Sequence, residues 1–411
     1  MANSAILAAS ALLLLAYVLD IVGRRLRLPA VVLLIATGIA GRQVLDSVGL
    51  AFDWVDPIVP IVGTVGLILI VLEGALDLDV TRERTRLIVT SATAATLGFV
   101  LVLAGLTALF AATLPFTPAV AVLAAIPFAV ISSAVAIPSA TGFPAQPREF
   151  VIYESSLSDI LGVLVFYSWL GADGAVARFA EELFGGGALS LVAAAGAAVG
   201  LYVLINRTEG HVRFLPMLAG LVCLYAIGKA LHLSPLVLVL VCGLLLNNPH
   251  LIEWLPRVRA IAHPEYDRTL KEFKGLVAEL TFATKSFFFL LLGYWTELAE
   301  MKVWQAWALA AGAVLLIYSS RYAVLRLLRQ PDANRLLWIA PRGLITVLLF
   351  IGAAETRKVD AFPFGAVMLV VLATSSLTAL AHRGRAPATA PAPAPELLPE
   401  AAATAGETPS R

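Results

Sequence analysis

Thirteen apolar runs, most of them near twenty residues long, dominate this 411-residue chain. They fall at about 4–20, 29–49, 57–78, 88–114, 119–143, 147–171, 187–205, 213–230, 234–249, 277–297, 302–328, 334–355 and 361–381. About twenty apolar residues in a helix match the thickness of a bilayer's hydrocarbon core. In lipid a spanning segment must satisfy its own backbone N–H and C=O groups, so each run is expected to be a helix. The reading is an all-α polytopic membrane protein of about 13 transmembrane helices. Composition agrees: 14% of residues are charged, against roughly a quarter in a soluble domain. The balance leaves no room for a sizeable soluble enzyme domain. A net charge of +1 gives no reason to expect a nucleic-acid partner.

The loops set the orientation. Odd-numbered loops hold Arg24, Arg25 and Arg27; Arg82, Arg84 and Arg86; Arg148; Arg207 and Arg213; Arg257, Arg259, Arg268, Lys271 and Lys274; and Arg329 and Arg335. Even-numbered loops hold only Arg42, Arg178, Lys229, Lys302, Arg357 and Lys358. Cytoplasmic loops carry the Lys/Arg excess. The N-terminus is therefore expected outside and the C-terminus in the cytoplasm, in a plasma (inner) membrane. No Lys or Arg precedes the first apolar run, so that run reads as a retained helix and not as a cleaved signal peptide.

Residues 1–382 read as one transmembrane domain, with a charged, amphipathic cytoplasmic linker at about 250–276. Residues 383–411 are rich in Pro and Ala and read as a disordered cytoplasmic tail. Thirteen segments fit two six-helix units around a central seventh, and the odd segment inverts the second unit. Two inverted six-helix repeats of this kind mark transporters. Cys223 and Cys242 lie in apolar runs, and the five histidines do not cluster. No cofactor and no resident metal site is expected.

Ionisable residues at membrane depth are costly and point to function. Four stand near segment centres: Glu154 and Asp159 in the sixth segment, Lys285 in the tenth and Arg342 in the twelfth. The sixth segment reads YESSLSDILG, which places Ser155 and Asp159 at i and i+4 on one helix face and Glu154 and Ser158 on the neighbouring face. Hydroxyl and carboxylate oxygens suit a small cation. A carboxylate there can hold a proton or a monovalent cation, but not both, and that competition is a chemical basis for exchange. Glu154 reads as a structural ion-pair partner for Arg342 or Lys285. Arg342 reads as a fixed positive charge, and Lys285 as either a titrating base or a second pairing partner.

Two segments look interrupted. In the fifth, AVISSAVAIPSATGFP, Pro138 frees the carbonyl of Ala134, and Ser132 and Ser133 lie at the centre. In the twelfth, Pro341 and Gly343 flank Arg342. In an inverted repeat these segments are counterparts, and paired broken helices point to a transport site.

These residues resemble the cation/proton antiporter superfamily, especially its NhaP-type sodium/proton exchanger branch. That family carries Thr-Asp-Pro in a broken fifth helix and E-S-x-x-N-D in the sixth. Ser132-Ser133-Ala134 and Glu154-Ser155-Ser156-Leu157-Ser158-Asp159 stand in those places here. Arg342-Gly343 is similar to the family's twelfth-helix motif, and LEGALDLD and KSFFFLLLG are similar to its third and tenth segments. The resemblance covers about residues 5–381. It implies a homodimer with a sodium/proton antiporter fold, a core moving against a dimerisation domain, and alternating access. It also implies that Asp159 binds cation and proton in turn and that Glu154 pairs with Arg342. Serine replaces the family's Asn at 158 and its Thr-Asp at 132–133, which keeps an oxygen but loses an amide donor and an acid.

The expectation is a secondary antiporter exchanging Na⁺ or K⁺ for H⁺ in a bacterial membrane, with ion ligands among Asp159, Ser158, Ser155, Ser132 and Ser133. A channel would need rings of carbonyls or acids along a pore, and an intramembrane enzyme a nucleophile–base pair that the chain lacks. A non-transporting sensor built on the same frame is the remaining alternative.

Overall fold

The computed structural model describes residues 2–26, 28–47, 55–207, 214–231, 233, 235–251, 266–356 and 358–382. The expected tail at 383–411 and the middle of the 250–276 linker lie outside these residues. All thirteen apolar runs are helical. They form α1 (Ala2–Leu26), α2 (Ala30–Ser47), α3 (Val55–Asp77), α4 (Thr85–Thr113), α5 (Pro118–Ala129) with α6 (Ser133–Ser139), and α7 (Ala145–Gly171). There follow α8 (Gly187–Arg207), α9 (Phe214–Ala230), α10 (Pro235–Asn247), α11 (Tyr266–Trp295), α12 (Trp304–Leu327), α13 (Ala333–Leu336) with α14 (Leu344–Glu355), and α15 (Phe364–Leu377). The fifth and twelfth segments are each in two pieces. Among the described residues there is no strand.

The tenth segment starts earlier than its apolar run. α11 begins at Tyr266, and its charged first turns run into the apolar part without a break. No Pro interrupts this stretch, and Arg268 pairs with Glu272 one turn on at 3.2 Å. The last part of the expected linker is thus the opening of a membrane helix.

Helix packing sorts the segments into two bundles. In one, α2 and α3 pack on α11, and α3 also packs on α10. In the other, α4 packs on α5, α7 and α12, α14 packs on α5, and α15 packs on α12. A seam separates them, where α3 meets α7 and α14. The two interrupted segments belong to the second bundle.

Irregular backbone at membrane depth survives only where protein satisfies its polar groups. Both breaks are buried, with Val130 and Ser132 in one and Ala340 and Arg342 in the other. The Ile131 N–H donates to Ser158 Oγ at 2.9 Å. The Ser132 N–H donates to the Pro341 carbonyl at 2.9 Å, which ties the two breaks together. The Arg342 N–H donates to Thr374 Oγ1 at 2.9 Å, and the Arg342 carbonyl accepts from Ser375 Oγ at 3.2 Å. Side chains of α7 and α15 thus take over hydrogen bonds that a continuous helix would make internally.

The break in the fifth segment precedes Pro138, which sits inside α6. Proline is therefore not its direct cause: Ile131 and Ser132, which leave the helix, give their amides to Ser158 and Pro341, and Ser133, which opens α6, gives its amide to Asp159. In the twelfth segment the local chemistry does coincide with the break. Pro341 has no N–H to donate and Gly343 is the N-cap of α14.

Candidate functional site

The crossing of the two breaks lies against the middle of α7. Asp159 Oδ2 accepts a hydrogen bond from the Ser133 N–H at 3.3 Å, and the Ser133 hydroxyl is a second partner of the same carboxyl. Asp159 is 5% exposed. Its other oxygen, Oδ1, has no hydrogen-bond partner among the described residues. An ionised carboxylate buried without a counter-charge costs several kcal/mol. The geometry therefore requires something positive at Oδ1, and a proton or a small cation serves.

The serines around Asp159 divide by what their oxygens already do. Ser158 Oγ is taken by the Ile131 N–H and holds the break against α7. Ser155 Oγ donates back to the Val151 carbonyl of its own helix at 2.7 Å, leaving its lone pairs unspent. Ser132 Oγ is buried and unpartnered among the described residues. The approach between α7 and the fifth segment depends on Gly162, where a Cβ would lie 2.1 Å from Val130 Cγ2.

The charges pair differently from the expectation. Both Glu154 oxygens bond Arg321 of α12, with Nη1 to Oε1 at 2.9 Å and Nη2 to Oε2 at 3.0 Å. The expected pairing of Glu154 with Arg342 or Lys285 is therefore corrected. A fork-to-fork guanidinium–carboxylate pair engages both oxygens of Glu154 and balances its charge. Arg321 is itself 6% exposed. Its Nε also donates to the Leu336 carbonyl, the last of α13, at 2.7 Å.

Arg342 is 1% exposed and spends its guanidinium on backbone. Nε donates to the Phe128 carbonyl at 2.6 Å and Nη1 to the Ala340 carbonyl at 3.0 Å. Phe128 lies in the last turn of α5, so Arg342 places a positive charge at that helix's negative end. Each broken segment thus has an arginine at the carbonyl end of its first half. Lys285 is half-buried; its Nζ lies 6.0 Å over the Phe282 ring, and it faces Glu73 of α3. No hydrogen bond or ion pair joins Lys285 to Asp159 or Glu154 among those described.

A sequence profile for a family described as "Sodium/hydrogen exchanger, transmembrane" matches residues 10–382. The chain belongs to this family. It is a secondary active cation/proton antiporter. The exchanger's fold is similar to that of the sodium proton antiporter MjNhaP1 from Methanocaldococcus jannaschii at pH 8. The TM-score is 0.71 and the identity 20%, over 92% of this chain and 95% of that one. A second structure of MjNhaP1, from an electron-microscopy map, gives a TM-score of 0.70 and 19% identity over the same shares. At that identity the likeness carries the fold alone. No curated protein sequence matches the exchanger.

Three side chains at the exchanger's crossing escaped the sequence reading. Arg321 lies well inside the 302–328 run, and its depth was the available signal. Thr374 accepts the Arg342 N–H while donating to the Val370 carbonyl. Ser156 stands inside the motif around Asp159, and its buried hydroxyl is unpartnered among the described residues.

Proposed function

We propose that the exchanger carries Na⁺ or K⁺ against H⁺ through a single carboxylate, Asp159, which binds either ion but never both. The observation that carries this is the orphaned Oδ1 of Asp159, buried mid-span beside the crossing of two broken helices. Ser132, Ser133, Ser155 and Ser158 complete the site. Ser133 and Ser158 fix the break and the carboxyl, while Ser132 and Ser155 offer oxygen lone pairs to the ion. Glu154 is a structural residue paired with Arg321, and Arg342 is a fixed charge that holds α5. Lys285 faces Glu73 within the first bundle and serves there as a compensating charge.

The seam between the bundles suits alternating access, with the second bundle carrying Asp159 from one side to the other. One binding carboxylate gives 1:1 exchange as the simplest stoichiometry. The loop charges support a plasma-membrane protein with its N-terminus outside and its C-terminus in the cytoplasm. A homodimer is proposed on the family resemblance. No enzymatic step is assigned to it.

Everted vesicles from an antiporter-deficient host test the reading. A proton gradient is established and followed with a pH-sensitive dye while Na⁺, K⁺ or Li⁺ is added. One of these cations is expected to dissipate the gradient in the wild type, with an apparent KM that rises as the cytoplasmic-side pH falls. Dissipation that is independent of cation in wild-type vesicles, or no dissipation by any cation with good expression, would overturn the proposal.

A further inference from the structure

Several buried hydroxyls of this protein follow one habit. Ser155, Thr281, Thr296 and Thr374 each donate to the carbonyl one turn earlier in their own helix. This is the ordinary way a Ser or Thr is satisfied in a buried helix. Among the described residues five buried hydroxyls break the habit, Ser91, Thr107, Ser132, Thr346 and Ser156, and of these the one that shares α7 with Asp159 is Ser156. It is 3% exposed, and its Oγ has no hydrogen-bond partner among the described residues. The hydroxyl points across the seam at α3. A Cβ placed on Gly74 would lie 3.4 Å from Ser156 Oγ, an ordinary contact, so a space of about one methyl group is open between that oxygen and the α3 backbone.

Ser156 and Asp159 are i and i+3 on α7, which puts their Cβ atoms about 5–6 Å apart on one face. Two orphaned, buried oxygens, Ser156 Oγ and Asp159 Oδ1, therefore belong to side chains one turn apart on the same helix. A buried hydroxyl left unpaired is destabilising, and alanine would fill the same place without that penalty. A hydroxyl carries two acceptor lone pairs and no charge of its own. It can ligate a cation beside a carboxylate without adding a second group that must be neutralised.

We propose that Ser156 is a ligand of the transported monovalent cation, on the α3 side of Asp159, and that Gly74 keeps that position open. The inference rests on the Asp159 reading and deepens it. It places the bound cation on the seam between the bundles, where its coordination changes as the seam opens. Cation affinity then depends on the state of the seam through a neutral oxygen, while the proton needs only the carboxylate.

The test uses purified full-length protein in proteoliposomes, with Na⁺, K⁺ and Li⁺ exchange each measured as KM and maximal rate. Ser156→Ala is expected to raise the cation KM about three- to tenfold, the loss of one neutral oxygen ligand, with the maximal rate within about twofold of wild type. Ser156→Thr restores the hydroxyl and is expected to recover most of the affinity. Gly74→Ala adds a methyl at ordinary contact distance, so it folds, and it is expected to raise KM as Ser156→Ala does. An unchanged KM for all three cations in Ser156→Ala overturns the proposal, and so does a fall in maximal rate alone. Should Ser156→Ala not be recovered folded, a wild-type KM in Gly74→Ala decides against it. Asp159→Asn runs alongside and keeps the two claims apart. Exchange surviving in that variant sinks the Asp159 reading; exchange lost there with a normal KM in Ser156→Ala sinks only this inference.

Discussion

Arg321→Met should be among the most destabilising single substitutions in the exchanger. Arg321 and Glu154 are 5% and 3% exposed in their side chains and share two hydrogen bonds. Removing one partner leaves the other buried and uncompensated, which costs about 3–5 kcal/mol. Glu154→Leu strands the guanidinium and is expected to cost about the same. In the double variant Glu154→Leu/Arg321→Met neither charge of the pair remains. Its main loss is the donor to the Leu336 carbonyl, about 1–3 kcal/mol. The double variant should therefore be more stable than either single one, a coupling far outside the additivity of independent sites. Arg342→Met combined with Glu154→Leu should instead be near additive, because Arg342 bonds Phe128 and Ala340 and not Glu154. The assay is thermal unfolding of the wild type, the three single variants and the two double variants in detergent, read by intrinsic fluorescence and by the fraction still monodisperse after heating. Single variants that lose less than about 1 kcal/mol, as exposed pairs do, would refute the reasoning. So would a double variant whose loss equals the total of the singles.

Two further outcomes follow from the same geometry. Gly162→Ala would place a Cβ 2.1 Å from Val130 Cγ2; Val130 is fully buried and stiff at χ1, so the break must shift, at about 1–3 kcal/mol, and vesicle exchange should fall more than expression does. At the loop after α7, the Lys358 ammonium bonds Asp173 and holds its carboxyl below the ordinary value of 3.8. The folded form binds that proton less readily than the unfolded chain, so the pair stabilises above the ordinary value and its contribution is lost as pH falls through the lowered one. Lys358→Met should therefore lower the melting temperature slightly near pH 7, leave it unchanged at pH well below the lowered value, and so flatten the acid limb of the profile.

The thirteen segments could be read in the sequence because each is announced by its own apolar length, a signal that needs no knowledge of neighbours. The central place of Asp159 was legible for the same reason, since mid-run depth is local. The twelfth-segment break was legible because Pro341 and Gly343 act on their own backbone. The fifth-segment break was displaced from Pro138 because its position is set by distant acceptors, the Pro341 carbonyl, Ser158 Oγ and the Asp159 carboxyl. Ion pairing was the least legible. Arg321 and Arg342 both lie at depth, and only the packing of α12 against its neighbours decides which guanidinium meets Glu154. The orphan state of Ser156 also depends on what α3 presents opposite it, a glycine that no periodicity in α7 could reveal.

The central claim is that cation and proton compete for Asp159, and the most direct measurement counts protons released on cation binding. Calorimetric titration of the purified exchanger with Na⁺ or K⁺, repeated in buffers of different ionisation enthalpy, gives that number across pH. The account predicts release approaching one proton per cation at low pH, falling towards zero as pH rises, and no binding heat in Asp159→Asn. Cation binding of constant affinity across pH, with no proton released or with Asp159→Asn still binding, would contradict it.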